Sequence, residues 1–253
     1  ARSAMTGLSL DRMGGSVASF DNLYLPRLHR AGYVAPNASS EHIASPGGFV
    51  LDSMPGIYDH VLLLDFKSLY PSIIRTFRID PLGLALGVSG QMSAQQTVPG
   101  FLNGCFAREG HILPALIQQL WHQRDAAKAT GDAPLSQAIK IIMNSFYGVL
   151  GTPGCRFFDA RLASSITRRG HEILTRTRDH IESAGHRVIY GDTDSVFVWI
   201  QEARTDEQAV AAGRQLEREL NTWWSEVIRQ EFDLDSVLEL QFDTHFKRFL
   251  MPT

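Results

Sequence analysis

Three aspartates stand where carboxylates can do chemistry. Asp65 closes a short apolar run, Val61-Leu62-Leu63-Leu64, and Asp192 and Asp194 flank Thr193 between two β-branched runs. Carboxylates gathered with few balancing cations repel one another unless a divalent ion sits between them. Mg²⁺, held by one or two carboxylates with water and substrate phosphate completing its octahedron, is the ion such a set predicts. Asp-x-Asp alone is ordinary turn chemistry, because aspartate hydrogen-bonds its own backbone in turns. Asp65 tips the balance, since an acid after a buried strand is costly without a partner. The three define a metal site and no particular reaction.

A second constellation is cationic. Lys140, Asn144, Tyr147 and Gly148 recur at helical spacing and share one face, while Arg124 and Lys128 share a face of the preceding helix. Gly131-Asp132-Ala133-Pro134 separates the two helices, and Asp132 is equidistant in sequence from Arg124 and Lys140. An antiparallel hairpin would set those two cations opposite each other with Lys128 nearby. Three converging cations suit a triphosphate. Ile139, Ile142, Met143 and Phe146 supply the packing face, so the polar set beside Lys140 reads as a ligand face rather than a solvated one.

These groups need a mixed scaffold to position them. Residues 1–60 read as loop-rich, interrupted at Gly14-Gly15, Pro26, Pro36-Asn37, Pro46-Gly47-Gly48 and Pro55-Gly56. A buried strand over 61–64 leads through Ser68, a predicted N-cap, into a short helix over 69–77. Residues 82–110 read as irregular. Helices follow over 114–130, 135–150 and 160–184, the last closing at Gly185. Runs 187–190 and 195–200 predict a hairpin with acids at its turn. A helix over 205–229 precedes strands over 237–242 and 246–251. The chain stops at Thr253 directly after a strand, which reads as a truncation.

Composition sets the outer bounds. The 253 residues are 44% hydrophobic and 20% charged, enough for one large or two small domains with a real core. No apolar run approaches the roughly 18 residues that a membrane span needs, and Ala1–Gly7 carries no secretory h-region. Cys105 and Cys155 read as reduced thiols of a cytoplasmic protein. Net charge is −3, but from Trp121 to Tyr190 ten Lys or Arg face six Asp or Glu. That basic middle beside an acidic remainder suits phosphates and metal ions held together; it equally suits two solvated faces.

Three segments resemble the family B DNA polymerases, in that family's order. Asp65-Phe66-Lys67-Ser68-Leu69-Tyr70-Pro71-Ser72-Ile73-Ile74 is similar to its first palm motif. Lys140-Ile141-Ile142-Met143-Asn144-Ser145-Phe146-Tyr147-Gly148 is similar to its fingers-helix motif, and Tyr190-Gly191-Asp192-Thr193-Asp194-Ser195 to its second palm motif. Arg156-Phe157-Phe158-Asp159 and the stretch 246–253 resemble a bacterial branch of the family. The resemblance covers most of the chain and is weakest around 82–105.

The resemblance implies an α+β palm, a small, mostly antiparallel sheet backed by helices, with a helical-hairpin fingers insertion. Residues 1–60 would be an N-terminal connecting segment of the palm, 61–110 the palm with the first carboxylate motif, 111–151 the fingers and 152–253 the palm with the second carboxylate motif. It implies DNA-directed DNA synthesis with two Mg²⁺ ions, Mn²⁺ substituting. Asp65 and Asp194 would be the main ligands, the Phe66 carbonyl and Asp192 assisting. Backbone N–H groups at Ser68 and Leu69 would hold phosphates, with Arg124, Lys128 and Lys140 neutralising them. Tyr70 would exclude a 2′-hydroxyl, Tyr147 would sense the nascent base pair and Asn144 would help position the nucleotide. The implied partners are primer–template DNA and deoxynucleoside triphosphates, with no membrane; a sliding clamp for the longer parent is not legible here.

Departures from the family pattern shape this expectation. The family's Lys-rich, Tyr-ending motif and thumb do not follow the last strand here, and its acidic exonuclease motifs do not precede the first. The piece is therefore expected to lack proofreading. The Gly47-Gly48 doublet is similar to a template-contacting turn but lacks the preceding Tyr, so it reads as a plain loop. Arg161, Arg168, Arg169, Arg176 and Arg178 stand open between DNA contact and solvated charge. Two rivals remain. A glycosyltransferase could use Asp-x-Asp but has no need of Asp65 or the Lys140 helix. The fragment alone could also be an inactive nucleotide- or DNA-binding module.

Overall fold

Apolar side chains on consecutive positions can all be buried only where a strand is covered on both faces, and Val61-Leu62-Leu63-Leu64 lies in such a strand. The computed structural model describes residues 5–7, 15–38 and 47–252. In chain order these form α1 (Ser16–Arg30), β1 (Val50–Leu51), β2 (Gly56–Phe66), α2 (Leu69–Thr76), α3 (Pro81–Gly87), β3 (Thr97–Pro99) and β4 (Cys105–Ala107). Then come α4 (Leu113–Ala129), α5 (Ala133–Leu150), α6 (Ala160–Ser183), β5 (Arg187–Asp192), β6 (Ser195–Trp199), α7 (Asp206–Phe232) and β7 (Leu240–Met251). The chain divides into two compact units, Ala1–Pro46 with Ile73–Ile166, and Gly47–Ser72 with Thr167–Thr253.

The second unit is built on a five-stranded sheet ordered β1-β5-β6-β2-β7, and every pairing in it is antiparallel. Val61, Leu62, Leu64 and Phe66 of β2 are buried. On one side Tyr58, Val61, Ile189 and Met251 pack with Phe197, Trp199, Phe246 and Phe249, and Tyr58 meets Trp199 edge-on at 5.0 Å between centroids. Each such aromatic or aliphatic side chain taken out of water contributes about 1.5–3 kcal/mol. Helix α7 packs on β2 and β7. Its Gly213 lies against the Phe242 ring, where an added Cβ would sit 3.0 Å from ring carbons. The Asn221 amide accepts from Leu240 N–H and donates to Leu240 C=O, both at 2.8 Å, so a side chain takes the place of a neighbouring strand at the start of β7. Trp224 is buried and its Nε1–H donates to Thr177 Oγ1 at 3.0 Å, which accounts for this tryptophan as a packing anchor.

The first unit is mainly helical, with a two-stranded β3–β4 hairpin. Phe20 and Tyr24 of α1 form a ring cluster with Phe146 and Phe157. Tyr24 donates to Asp80, which caps α3 through Gly83 N–H and also accepts from Leu113 N–H at the start of α4. Helices α4 and α5 pack together across a short turn, and Asp132 caps α5 by accepting from Leu135 N–H at 2.9 Å.

Four expectations need correction. The stretch 1–60 is not loop throughout: α1 runs through Pro26. Pro26 sits on the exposed side while Phe20, Leu23, Tyr24 and Leu28 form a buried stripe, so packing outweighs the hydrogen bond that proline removes. Residues 82–110 are not irregular but hold most of α3, a 3₁₀ turn and the β3–β4 hairpin. The two C-terminal strands are one, β7, with a bulge at Asp243: Leu63 pairs with Thr244 and Leu64 with Phe242. Ser68 is no ordinary N-cap, since its φ is +47° where a cap is extended. Gly14, Pro46 and Thr253, named in the sequence reading, lie outside the described residues.

Candidate active site

The backbone of the second unit assembles the acids. Cα pairing runs along one rung of the sheet, Val50–Asp192–Ser195–Asp65–Gln241, from β1 to β7. Asp65 and Asp192 thus share a rung two strands apart, roughly 10 Å at normal strand spacing. Asp194 lies at the adjoining turn, and its carbonyl accepts from Phe66 N–H at 2.8 Å. Asp65 near the end of β2 and Asp194 in the turn before β6 are therefore neighbours, and Asp192 stands one strand further out. Asp65 and Asp194 are half-buried; Asp192 is exposed.

The turn itself is held tightly. Thr193 has φ +51°, a conformation that β-branched residues rarely adopt. Its N–H donates to Phe49 C=O and its hydroxyl to Asp192 Oδ1, each at 2.8 Å. Asp194 N–H donates back to Asp192 C=O at 2.6 Å. Sequence reasoning missed the segment that braces this turn. Gly47–Phe49 runs against it, and a Cβ on Gly48 would meet Thr193 Oγ1 at 2.7 Å. Gly47 C=O is 3.0 Å from His171 Nε2. The Gly47-Gly48 doublet was the available signal, because only glycine permits so close a backbone approach.

The exit from β2 is the other strained point. Lys67 N–H is fixed to Glu239 C=O at 2.9 Å, with Lys67 Nζ 3.2 Å from the Glu239 carboxylate. The chain then turns into α2 through Ser68, whose left-handed φ redirects it within one residue. Ser68 C=O accepts from Ser72 N–H at 3.0 Å. Tyr70 is half-buried in the first turn of α2. Left-handed non-glycine residues tend to collect at functional sites, and here two of them, Ser68 and Thr193, sit inside the two acidic motifs.

The cationic set belongs to the first unit. On α5, Lys140 and Asn144 are exposed and Tyr147 is half-buried, while Ile139, Ile142, Met143 and Phe146 are buried on the other side. On α4, Arg124 is half-buried and Lys128 exposed. The five arginines left open by sequence separate by partner. Arg161 pairs with Asp159 at 2.7 Å, Arg169 with Glu172 at 2.5 Å, Arg176 with Glu172 and Glu231, and Arg178 with Asp179. Arg169 is buried and Arg168 exposed. Burial alone would raise the Asp159 carboxyl, but hydrogen bonds from Arg161 more than offset it, so Asp159 lies below its ordinary value. Cys105 and Cys155 are free thiols, and among the described residues no helix is long and apolar enough to cross a membrane.

The fold is thus α+β, with a five-stranded, wholly antiparallel sheet that carries Asp65, Asp192 and Asp194 at one end. The family model of DNA polymerase family B matches residues 13–251, and the chain belongs to that family. It is 58% identical to DNA polymerase II of Escherichia coli K12 over 254 aligned residues, covering 100% of this chain and 32% of that protein. The DNA polymerase alpha catalytic subunit of Drosophila melanogaster is 32% identical over 82% of this chain and 14% of its own length. Among solved structures, a family B DNA polymerase from the hyperthermophilic archaeon Pyrobaculum calidifontis aligns with TM-score 0.64 and 25% identity, over 99% of this chain and 32% of that one. The chain thus spans about a third or less of the relatives it matches.

Proposed function

We propose that this chain is the palm and fingers of a DNA-directed DNA polymerase, extending a primer on a template with deoxynucleoside triphosphates. The sheet with β2, β5 and β6 is the palm, and the α4–α5 hairpin is the fingers. The single observation that carries this reading is the rung from Asp192 to Asp65 with Asp194 beside Phe66, in a chain that belongs to family B.

Asp65 and Asp194, assisted by Asp192 and the Phe66 carbonyl, offer only oxygen donors. That set fits hard divalent ions and suits Mg²⁺, with Mn²⁺ as a substitute. When bound, two such ions lower the pKa of the primer 3′-hydroxyl and stabilise charge on the leaving pyrophosphate. The protein's own groups do the rest. Backbone N–H groups at Ser68 and Leu69, opening α2, hold the β- and γ-phosphates. Arg124, Lys128 and Lys140, on the α4–α5 hairpin, supply the positive charge that a triphosphate needs. Tyr70 lies under the sugar and excludes a 2′-hydroxyl by bulk. Asn144 helps position the nucleotide, Tyr147 sits at the nascent base pair, and pairing with the template chooses the base.

The test is Mn²⁺-dependent binding of a deoxynucleoside triphosphate by the wild type, Asp194→Ala and Lys140→Ala. Binding that requires the ion and weakens at least about tenfold in both variants, a loss of about 1.4 kcal/mol, supports the reading. Metal-independent binding, or binding untouched by either substitution in folded protein, overturns it.

A further inference from the structure

A second group of ligands lies on the sheet away from the acids. His60 is five residues before Asp65 on β2, roughly 16 Å along an extended strand. Its Nδ1 is 3.1 Å from His245 Nε2 on β7 and 3.9 Å from Asp206 Oδ1 in the first turn of α7. One ligand atom from each of the three lies within 4.8 Å of the others. We propose that His60, His245 and Asp206 bind a divalent first-row transition-metal ion of the Zn²⁺ type, tying β2, β7 and the start of α7 together.

Four observations support the site. His60 has φ +59° in the middle of β2. That conformation is uncommon for any side-chain-bearing residue, and such local distortions in a strand re-aim a side chain. The His60 side chain is only 15% exposed and Asp206 is 38% exposed, so the group is shielded at His60 and open to solvent at Asp206. The imidazole planes are 11° apart with centroids at 5.3 Å, which sets the rings nearly edge to edge with nitrogens facing. At this separation one proton must be shared between them, and a metal ion takes that proton's place as both rings tilt. With metal–nitrogen bonds of about 2.0–2.1 Å, nitrogens 3.1 Å apart subtend roughly 100° at the ion, a near-tetrahedral angle that the two rings reach by turning about 40° off their present head-on line. Two imidazoles and one carboxylate form a borderline donor set that selects zinc-like ions over Mg²⁺, and they leave a fourth position for water.

Lys247 is the built-in competitor. Its Nζ is 2.5 Å from Asp206 Oδ2, yet its side chain is 78% exposed and free to swing into solvent. In the metal-free state Lys247 neutralises Asp206; in the bound state the ion does so.

The whole 253-residue chain is titrated with Zn²⁺ by calorimetry in excess Mg²⁺, which occupies all-oxygen sites, and with Co²⁺ by visible absorption. The expected result is one equivalent bound, a d–d spectrum of a four-coordinate ion, and a zinc-dependent rise in Tm. Asp206→Asn and His245→Gln should each weaken binding at least about tenfold, Lys247→Met should tighten it, and exposed His122→Gln should leave it unchanged. Stoichiometric binding that survives both ligand substitutions places the ion elsewhere and overturns the proposal. So does the absence of Zn²⁺ uptake by folded wild type, in which case the histidines only share a proton. Asp206 is at the surface, so Asp206→Asn decides the matter if His245→Gln does not fold.

Discussion

Asp80→Asn is the most informative single change in the first unit. The carboxylate is fully buried, with Oδ1 accepting from Tyr24 O–H at 2.8 Å and Leu113 N–H at 2.7 Å, and Oδ2 accepting from Gly83 N–H at 2.7 Å. An asparagine has one oxygen to offer. Turned towards Tyr24 and Leu113, it keeps two bonds and points its NH₂ at the Gly83 N–H. One hydrogen bond to a charged acceptor is lost, and two donors face each other in a dry site. Losing a charged hydrogen bond costs about 1.5–3 kcal/mol and leaving a buried donor unpaired about 1–3 kcal/mol. The terms overlap, and the amide also relieves the burial that holds the Asp80 carboxyl above its ordinary value, so a loss of about 2 kcal/mol is expected. Tyr24→Phe should cost about 1–2 kcal/mol, because the phenol oxygen also accepts from Leu82 N–H at 3.1 Å. Urea unfolding followed by circular dichroism reads both, and the double variant should depart from additivity by more than about 0.5 kcal/mol, since one network is cut twice. An Asp80→Asn protein within about 0.5 kcal/mol of wild type would refute the reasoning.

Gly191→Ala should destabilise the second unit by about 1–3 kcal/mol, because its Cβ would sit 2.7 Å from Leu51 Cδ1 and 3.1 Å from Leu51 Cγ; thermal unfolding checks this. If the proposed function holds, Tyr70→Ala should admit ribonucleotides in primer extension while leaving deoxynucleotide use largely intact; unchanged selectivity sinks the steric role. Glu231, bridged by both Arg176 guanidinium nitrogens at 2.9 and 2.7 Å, has its carboxyl held below its ordinary value by those hydrogen bonds. A depressed carboxylate contributes stability that is present above its unfolded pKa and is lost as pH falls through the folded one. The gap in urea midpoint between wild type and Glu231→Gln should therefore be small, as for other exposed pairs, and should close as pH falls below the ordinary glutamate range; a gap that widens on acidification contradicts it.

Much of this architecture could be read from residue patterns, and the failures have physical causes. The buried run at Val61–Leu64, the acidic hairpin and helices α4 to α7 follow from periodicity and turn residues, which are local signals. The helix through Pro26 was missed because its stability comes from Phe20 and Tyr24 packing on Phe146 and Phe157, contacts distant in sequence. The break assigned within β7 reflects Asp243-Thr244-His245, a polar interruption that the strand absorbs as a bulge. Site residue types were legible, but the strain at Ser68 and Thr193 and the bracing by Gly47–Phe49 depend on tertiary neighbours.

The rung that aligns the acids has a consequence for how this chain tolerates change in length. Its register is fixed by greasy residues further along β2 and β6, where Leu62 pairs with Val198 and Leu64 with Val196. One residue inserted between Val196 and Val198 would exchange inward and outward positions along β6 and carry Ser195 off the rung, with no acid touched. The same insertion at Gln201 or Glu202, exposed and beyond the strand, would leave the rung where it is. The sheet works as a ruler zeroed at its apolar end, so length is policed by uncharged residues on the rungs beside the acids.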